Sequence, residues 1–276
     1  MPLITLTEDQ YCGSSSTSKW QDDSYIALLK TSENEPPKRC YLKFYPKFLC
    51  NKKENKGIIN EIIGYVLGKE MGVNVPSQAG IISISPKLLP SPPSYALSEE
   101  KIIGWWSSDT GNDSLKVLYN IDYSSDDIEE KLFQTAKKLA GKEEIHKIIA
   151  FDGLIANIDR NVGNILSGNN DLYTIIDHGQ CLTGEYWSIS DLDPAPKEPY
   201  KNLLQELIKN QRDYFSNIRI TMVEHGKIVE RMEKAISTLK PWLECTMLAD
   251  DIASIEHFLM ERGAPGRFAS QSGLLI

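Results

Sequence analysis

Residues 151–179, FDGLIANIDRNVGNILSGNNDLYTIIDHG, constrain this chain more than any other stretch. An apolar helical run ends at Leu154-Ile155-Ala156, Asp159 follows in a polar turn, and an amide returns at Asn164. A short apolar segment leads to a turn with Gly168, Asn169 and Asn170, and a second apolar segment ends in Asp177-His178-Gly179. Helix, polar loop and tight hairpin must therefore follow one another directly. Two carboxylates and one amide held on a loop and a hairpin are the set that a magnesium-dependent phosphoryl transferase requires. One acid positions or deprotonates the acceptor, while the amide and the second acid hold the metal against nucleotide phosphates.

The flanking sequence divides into two kinds. Residues 3–7, 25–29 and 40–45 are short β-prone runs. Ile59, Ile62, Ile63, Val66, Leu67 and Met71 recur at three- and four-residue spacing, which predicts a helix over 58–71. Gly72 stops it where a C-cap glycine belongs. Residues 79–84 predict another strand, and 85–94, with four prolines, predict a loop or the tip of a long hairpin. Tyr95-Ala96-Leu97 reads as one more strand leading into a hinge. Beyond it the pattern turns helical. Asp126 with Glu129 marks a helix start, Leu132, Phe133, Ala136, Leu139 and Ala140 form the stripe, and Gly141 breaks it. Further helices are expected over 142–155, 199–210, 220–239 and 248–262. The expectation is an α+β, bilobal chain. Its β-rich N-lobe takes residues 1–98, a helical C-lobe takes 99–262, and 263–276 form a flexible tail.

Composition excludes several classes. At 276 residues, with 41% hydrophobic and 25% charged side chains, the chain is long enough for a sizeable core and ordinary for a globular protein. No apolar run approaches the roughly 20 residues that span a bilayer, and the N-terminus lacks the basic flank of a secretory signal. Cys12, Cys40, Cys50, Cys181 and Cys245 show no CxxC spacing and read as free thiols, so a cytoplasmic setting is expected. The net charge is −8; residues 1–110 are balanced at 12 basic and 12 acidic, and the remainder carries 18 basic against 26 acidic. That distribution supports neither nucleic acid nor membrane as a partner.

Several residues each carry two readings. Lys43 alternates with Tyr41 and Tyr45, while the other strand face holds Leu42 and Phe44. It is either a lysine reaching nucleotide phosphates or one on a solvated face. Glu61, away from the main stripe of its helix, is either a surface glutamate or the partner that orders Lys43. Gly13, Ser14, Ser15 and Ser16, continuing to Thr17-Ser18-Lys19, place a glycine and consecutive hydroxyls between two strands. Such a loop wraps phosphate oxygens or serves as a linker; it is neither a GxxxxGK[ST] nor a GxGxxG sequence. If it covers the γ-phosphate, these serines are candidate autophosphorylation sites. Asp152, on nearly the same helical face as Asp159, either hydrogen-bonds the catalytic turn or lies on a helix surface. His178 is either part of the site or a strand-end histidine stacked on the core. Of the adjacent Trp105 and Trp106, a strand would turn only one inward, to cover apolar surface or to serve as an acceptor platform.

In order and spacing, the chain from about residue 10 to 180 resembles the HipA-like kinases in their compact stand-alone form. Its active-site pattern also resembles that of the phosphoinositide 3/4-kinases. The residues concerned are Asp159-Arg160-Asn161-Val162-Gly163-Asn164, Ile176-Asp177-His178-Gly179, Tyr41-Leu42-Lys43-Phe44, Asn60-Glu61 and Gly72-Val73-Asn74-Val75-Pro76. Asn157 stands two residues before the acid, where HRD-type kinases keep a histidine, and Asn161 replaces the histidine of Asp-Arg-His. The resemblance implies ATP and Mg2+ as cofactors, with Asp159 on the acceptor, Lys43 and Glu61 on the phosphates, and Asn164 and Asp177 on the metal. It also implies a phosphate loop at 13–18, adenine contacts near Tyr95 and Leu97, and Ser or Thr of an unidentified protein as acceptor. A regulatory partner protein is compatible with it. The additional N-terminal subdomain of full-length HipA toxins finds no room here, so toxin activity and antitoxin pairing are not expected. Two alternatives stand beside this reading: a phosphoinositide-type lipid kinase and a non-catalytic nucleotide-binding module.

Overall fold

In the first part of the chain, alternating apolar residues build a sheet with one heavily buried face. The computed structural model describes residues 3–16, 24–48 and 53–271. The strands are β1 (Ile4–Thr7), β2 (Tyr11–Ser16), β3 (Ser24–Leu29), β4 (Lys38–Phe44), β5 (Ala79–Ile84) and β6 (Ile102–Ser108), in the order β1-β5-β6-β4-β3-β2. Only β1 with β5 is parallel, starting from Ile4 opposite Gly80. Gly80 is required there, because any Cβ would overlap the Ile4 carbonyl. Tyr25, Ala27 and Leu29 on β3, Cys40, Leu42 and Phe44 on β4, Ile82 and Ile84 on β5 and Trp106 on β6 all enter one core cluster. Full burial of such a large apolar side chain contributes about 1.5–3 kcal/mol.

The chain forms two compact units, Met1–Ile58 with Pro76–Gly111, and Ile59–Val75 with Asn112–Ile276. The expected boundary at residue 98 is therefore misplaced. The sheet continues through β6, which lies between β4 and β5, and after its excursion over Ile59–Val75 the chain leaves the first unit for the last time after Gly111. Tyr95 is not in a strand: Ser94–Ala96 form a 3-10 turn and Leu97 is exposed. Both Trp105 and Trp106 are sheltered, at 6% and 0% exposure, against the expectation that one would face out. Trp106 enters the core cluster, whereas Trp105, on the other face, is flanked by Ile81 and Lys43 across the ladders.

The second unit takes most of α1 (Gly57–Met71), then α2 (Leu115–Leu118), α3 (Ile128–Leu139) and α4 (Glu143–Leu154). The hairpin β7 (Ile165–Ser167) and β8 (Tyr173–Ile175) follows, with Ile165 opposite Ile175. The remaining helices are α5 (Leu203–Ile208), α6 (Arg212–Val229), α7 (Met232–Leu243), α8 (Ala249–Arg262) and α9 (Arg267–Gln271). Helix α1 is buried all round over residues 60–68, and α4 is buried at nearly every position from Ile145 to Leu154. A helix without a wet face belongs to the interior. The single helix expected over 220–239 is two, joined at Glu230-Arg231, where no glycine or proline marks the break. The expected flexible tail is helical over α9, because Phe268 is buried and stacks on His225 at 4.7 Å. Residues 272–276 lie outside the described residues.

Candidate active site

Helix α4 ends at Leu154, and its exit is sharp. Ala156 adopts a left-handed φ of 48°, while the amides of Leu182 and Thr183 bond the carbonyls of Ile155 and Ala156 at 2.9 and 3.1 Å. The Asn157 side chain then spans the turn. Its Nδ2 donates to Asp152 Oδ1 at 3.2 Å, and its Oδ1 accepts the Asp159 amide at 3.1 Å. The amide thus bridges the end of α4 to the Asp159 backbone, with one donor and one acceptor on a single short side chain. The Asp159 carbonyl accepts from the Asn161 amide at 2.8 Å and from Asn164 Nδ2 at 3.1 Å. Asn161 caps the short turn that follows, with its Oδ1 accepting the Gly163 amide at 2.8 Å, and its Nδ2 lies 3.4 Å from Asp159 Oδ2. Shaping the loop is therefore what Asn161 does.

Under this loop lies a buried ion pair. Arg160 Nε donates to Asp152 Oδ2 at 3.0 Å, and neither side chain is exposed. Nη2 adds a bond to Asp152 Oδ1 at 3.2 Å. Nη1 reaches the carbonyls of Asn164 and Asp177, both at 3.4 Å, and that of Ile176. Asp152 is thus the support for the Asp159 turn rather than a surface acid. Burial pushes its carboxyl upward, opposed by the Arg160 charge and its hydrogen bonds. One guanidinium joins the end of α4, the Asp159 loop and the segment after β8.

That segment carries Asp177 at a left-handed φ of 58°, a conformation uncommon outside glycine. Ala156, Leu182 and Thr183 share the left-handed region, so four such non-glycine residues lie on the two strips of backbone that pair here. Backbone strain of this kind concentrates at functional sites. Helix α1 holds the segment from the other side. Glu61 Oε2 accepts the His178 amide at 3.0 Å. Asn60 Nδ2 donates to the carbonyls of Gly179 and Gly184 at 2.6 and 2.7 Å, and its Oδ1 accepts Trp187 Nε1 at 2.9 Å. Asn60 and Glu61 are both buried, so the surface alternative for Glu61 is excluded.

His178 is a core histidine, 2% exposed and edge-on to Phe151. Its Nδ1 accepts from Arg160 Nη2 at 3.1 Å, which puts the proton on Nε2; that atom has no hydrogen-bond partner among the described residues. Burial, reinforced by the Arg160 charge, holds the imidazole well below its ordinary pKa. The ring fits because α1 presents Gly64 to it; a Cβ there would overlap the His178 side chain.

The remaining expected residues belong to the first unit. Lys43 is half-buried on β4, opposite Ser24 and Trp105, with Nζ 4.9 Å from the Tyr45 ring centre. Glu61 belongs to the second unit. Gly13, Ser14, Ser15 and Ser16 are part of β2 rather than of an open loop. The ladder shifts between Tyr11 and Ser14, and Gly13 takes a φ of 122° there. Ser14 Oγ lies 2.5 Å from the Tyr11 hydroxyl. Thr17, Ser18 and Lys19 fall outside the described residues. Tyr95 and Leu97, expected at a hinge beside adenine, instead precede β6 within the first unit, because the sheet needs that further strand before the chain crosses.

The structure thus brings Glu61, Asp159, Asn164 and Asp177 into one hydrogen-bonded framework built by Asp152, Arg160 and Asn60. Asn60 and Trp187 received no role from the sequence. The signal for Asn60 was available, since a polar pair inside an otherwise apolar helix must find buried partners. Asn164 and Asp177 offer hard oxygen donors, the kind magnesium takes when phosphates complete its shell. No cluster of three or more His, Cys, Asp or Glu that could hold a metal occurs among the described residues. No helix there is long and apolar enough to cross a membrane.

No family model matches the chain. Phosphatidylinositol 4-kinase gamma 2 of Arabidopsis thaliana is 27% identical over 194 residues, covering 62% of this chain and 33% of that protein. The chain therefore spans about a third of the length of that relative. Among solved structures, the proinflammatory kinase CtkA of Helicobacter pylori aligns over 100% of this chain and 99% of its own, with a TM-score of 0.57 and 16% identity. The fold is kinase-like: a β-sheet N-terminal part and a helical C-terminal part.

Proposed function

We propose that the chain is an ATP- and Mg2+-dependent kinase that transfers the γ-phosphate to a hydroxyl, with Ser or Thr of a cytoplasmic protein as the acceptor class. The observation that carries the reading is Arg160, whose one side chain ties the loop of Asp159 to Asn164 and to the backbone of Asp177. Both comparisons name kinases, which supports the reaction class. Asp159 orients the acceptor hydroxyl and takes its proton, a role worth roughly 10²–10⁴ in rate. Asn164 and Asp177 hold the metal. Asn164 already commits Nδ2 to the Asp159 carbonyl, which leaves Oδ1 as its ligand atom. The metal, when bound, neutralises charge on the phosphates. Lys43 contacts the phosphates, and the backbone of residues 13–16 contributes N–H groups to them.

The phosphoinositide-type reading is kept as a second one because the Arabidopsis relative is named for it. One experiment separates the readings. Radiolabelled ATP and Mg2+ are supplied with the protein to cell lysate and, separately, to vesicles containing phosphatidylinositol, with Asp177→Ala as the control. Label in a lysate protein that is lost with Asp177→Ala is the expected result. Label in lipid alone selects the second reading. Nucleotide binding without transfer in any arm overturns both and favours the non-catalytic module. Mass spectrometry of the same incubation tests Ser14, Ser15 and Ser16 as autophosphorylation sites.

A further inference from the structure

We propose that Arg262 is a positioning residue for the active site, acting through the C-terminal turn of α4 without touching substrate; this rests on the kinase reading above. Arg262 closes α8 and is 2% exposed. Its Nε donates to the Leu154 carbonyl at 3.0 Å and its Nη2 to the Gly153 carbonyl. These carbonyls lie in the last turn of α4, where helix C=O groups lack intrahelical partners and the helix end favours a cation. Burial lowers the Arg262 pKa to about 10, so it stays charged at neutral pH. The guanidinium carbon lies 5.0 Å from the Tyr200 ring centre and 5.3 Å from that of Phe258, which fixes its plane.

The turn held in this way is the one from which the catalytic loop departs. Asp152, immediately before Gly153, anchors Arg160 and Asn157. Ile155 and Ala156, immediately after Leu154, make the left-handed exit that delivers Asn157 and Asp159. Phe268 of α9 packs on the same turn, since a Cβ on Gly153 would stand 3.1 Å from its ring. Two side chains from the C-terminal helices therefore grip the backbone on which Asp159 is hung. A general stabilising role would lower melting temperature alone. A positioning role lowers turnover in protein that remains folded, because small displacements of a reacting group are costly in rate.

The test uses Arg262→Met and Arg262→Lys in the full chain. It reads folding by circular dichroism, kcat and KM for ATP in Mg2+-dependent turnover, and amide exchange of residues 152–164 by mass spectrometry. Folded Arg262→Met is expected to lose roughly 10-fold or more in kcat with little change in KM. Its amides at Asn157 and Asp159 are expected to exchange faster, and Arg262→Lys, which keeps the charge and a donor, to recover part of both. Wild-type exchange and kcat in folded Arg262→Met overturn the proposal. If Arg262→Met does not fold, Arg262→Lys decides: reduced kcat with faster exchange supports the proposal, wild-type values overturn it. If wild-type protein turns over no ATP, the kinase reading fails and the exchange measurement alone judges Arg262.

Discussion

Arg160 and Asp152 form an ion pair of 3.0 Å with neither side chain exposed, and three backbone carbonyls share the same guanidinium. Removing one partner strands the other charge in the interior. Arg160→Met is therefore expected to cost about 3–5 kcal/mol in unfolding free energy. The double variant with Asp152→Leu should be less destabilised than Arg160→Met alone. Urea titration of the three proteins checks both statements.

Asn60 satisfies two carbonyls and one indole N–H with a single side chain. Asn60→Leu keeps the branched outline at a larger volume and leaves all three groups without this hydrogen-bond partner, and each buried group left unpaired costs about 1–3 kcal/mol. A loss of several kcal/mol is expected, with a shift in Trp187 fluorescence as water reaches the indole. An unchanged emission spectrum would contradict this placement of the ring.

Gly64→Ala puts a methyl group into the His178 ring. Overpacking of this kind costs about 1–3 kcal/mol. Because His178 directly follows Asp177, the variant is also expected to weaken Mg2+-dependent nucleotide binding, measured by calorimetry with and without the metal.

Asp159→Asn is nearly isosteric, and the carbonyl and amide of residue 159 carry the loop's hydrogen bonds. Transfer is expected to fall by roughly 10²–10⁴, with stability within about 0.5 kcal/mol of wild type. Stability changes much larger than that would mean that Asp159 holds the fold.

Burial holds His178, His225 and His146 below the ordinary histidine value, His225 at about 4. The unfolded chain therefore takes up protons before the folded one as the pH drops. Stability from this source is full above about pH 6.5 and declines toward pH 4, by up to about 1.4 kcal/mol per pH unit for each histidine. A set of thermal melts across that range, with His225→Phe to flatten part of the slope, measures it.

Local chemistry made much of this legible beforehand. Residues 79–84 and the helix ending at Gly72 follow from alternation and from three- and four-residue spacing, signals set by neighbours in the chain. Asp159, Asn164 and Asp177 stood out because an acid, an amide and a second acid were spaced along a loop and hairpin. The span of β6 is not legible locally, because Gly104 and two adjacent sheltered tryptophans break its alternation. Residues 11–16 carry no local strand signal, because a glycine followed by serines reads as a linker, and only pairing with β3 makes them a strand.

The sequence by itself determined the kinds of element, their order and the polar residues available to the proposed site, since these depend on side-chain type and period. Tertiary structure decided which of those residues meet. Glu61 lies off the apolar stripe of its helix, yet it is buried on the His178 amide. Arg160 was a motif match until its five donors found Asp152, His178 and three carbonyls. Such partners lie far apart in the chain, as Glu61 and His178 do, and a hydrogen bond depends on distance in space, which no local period encodes.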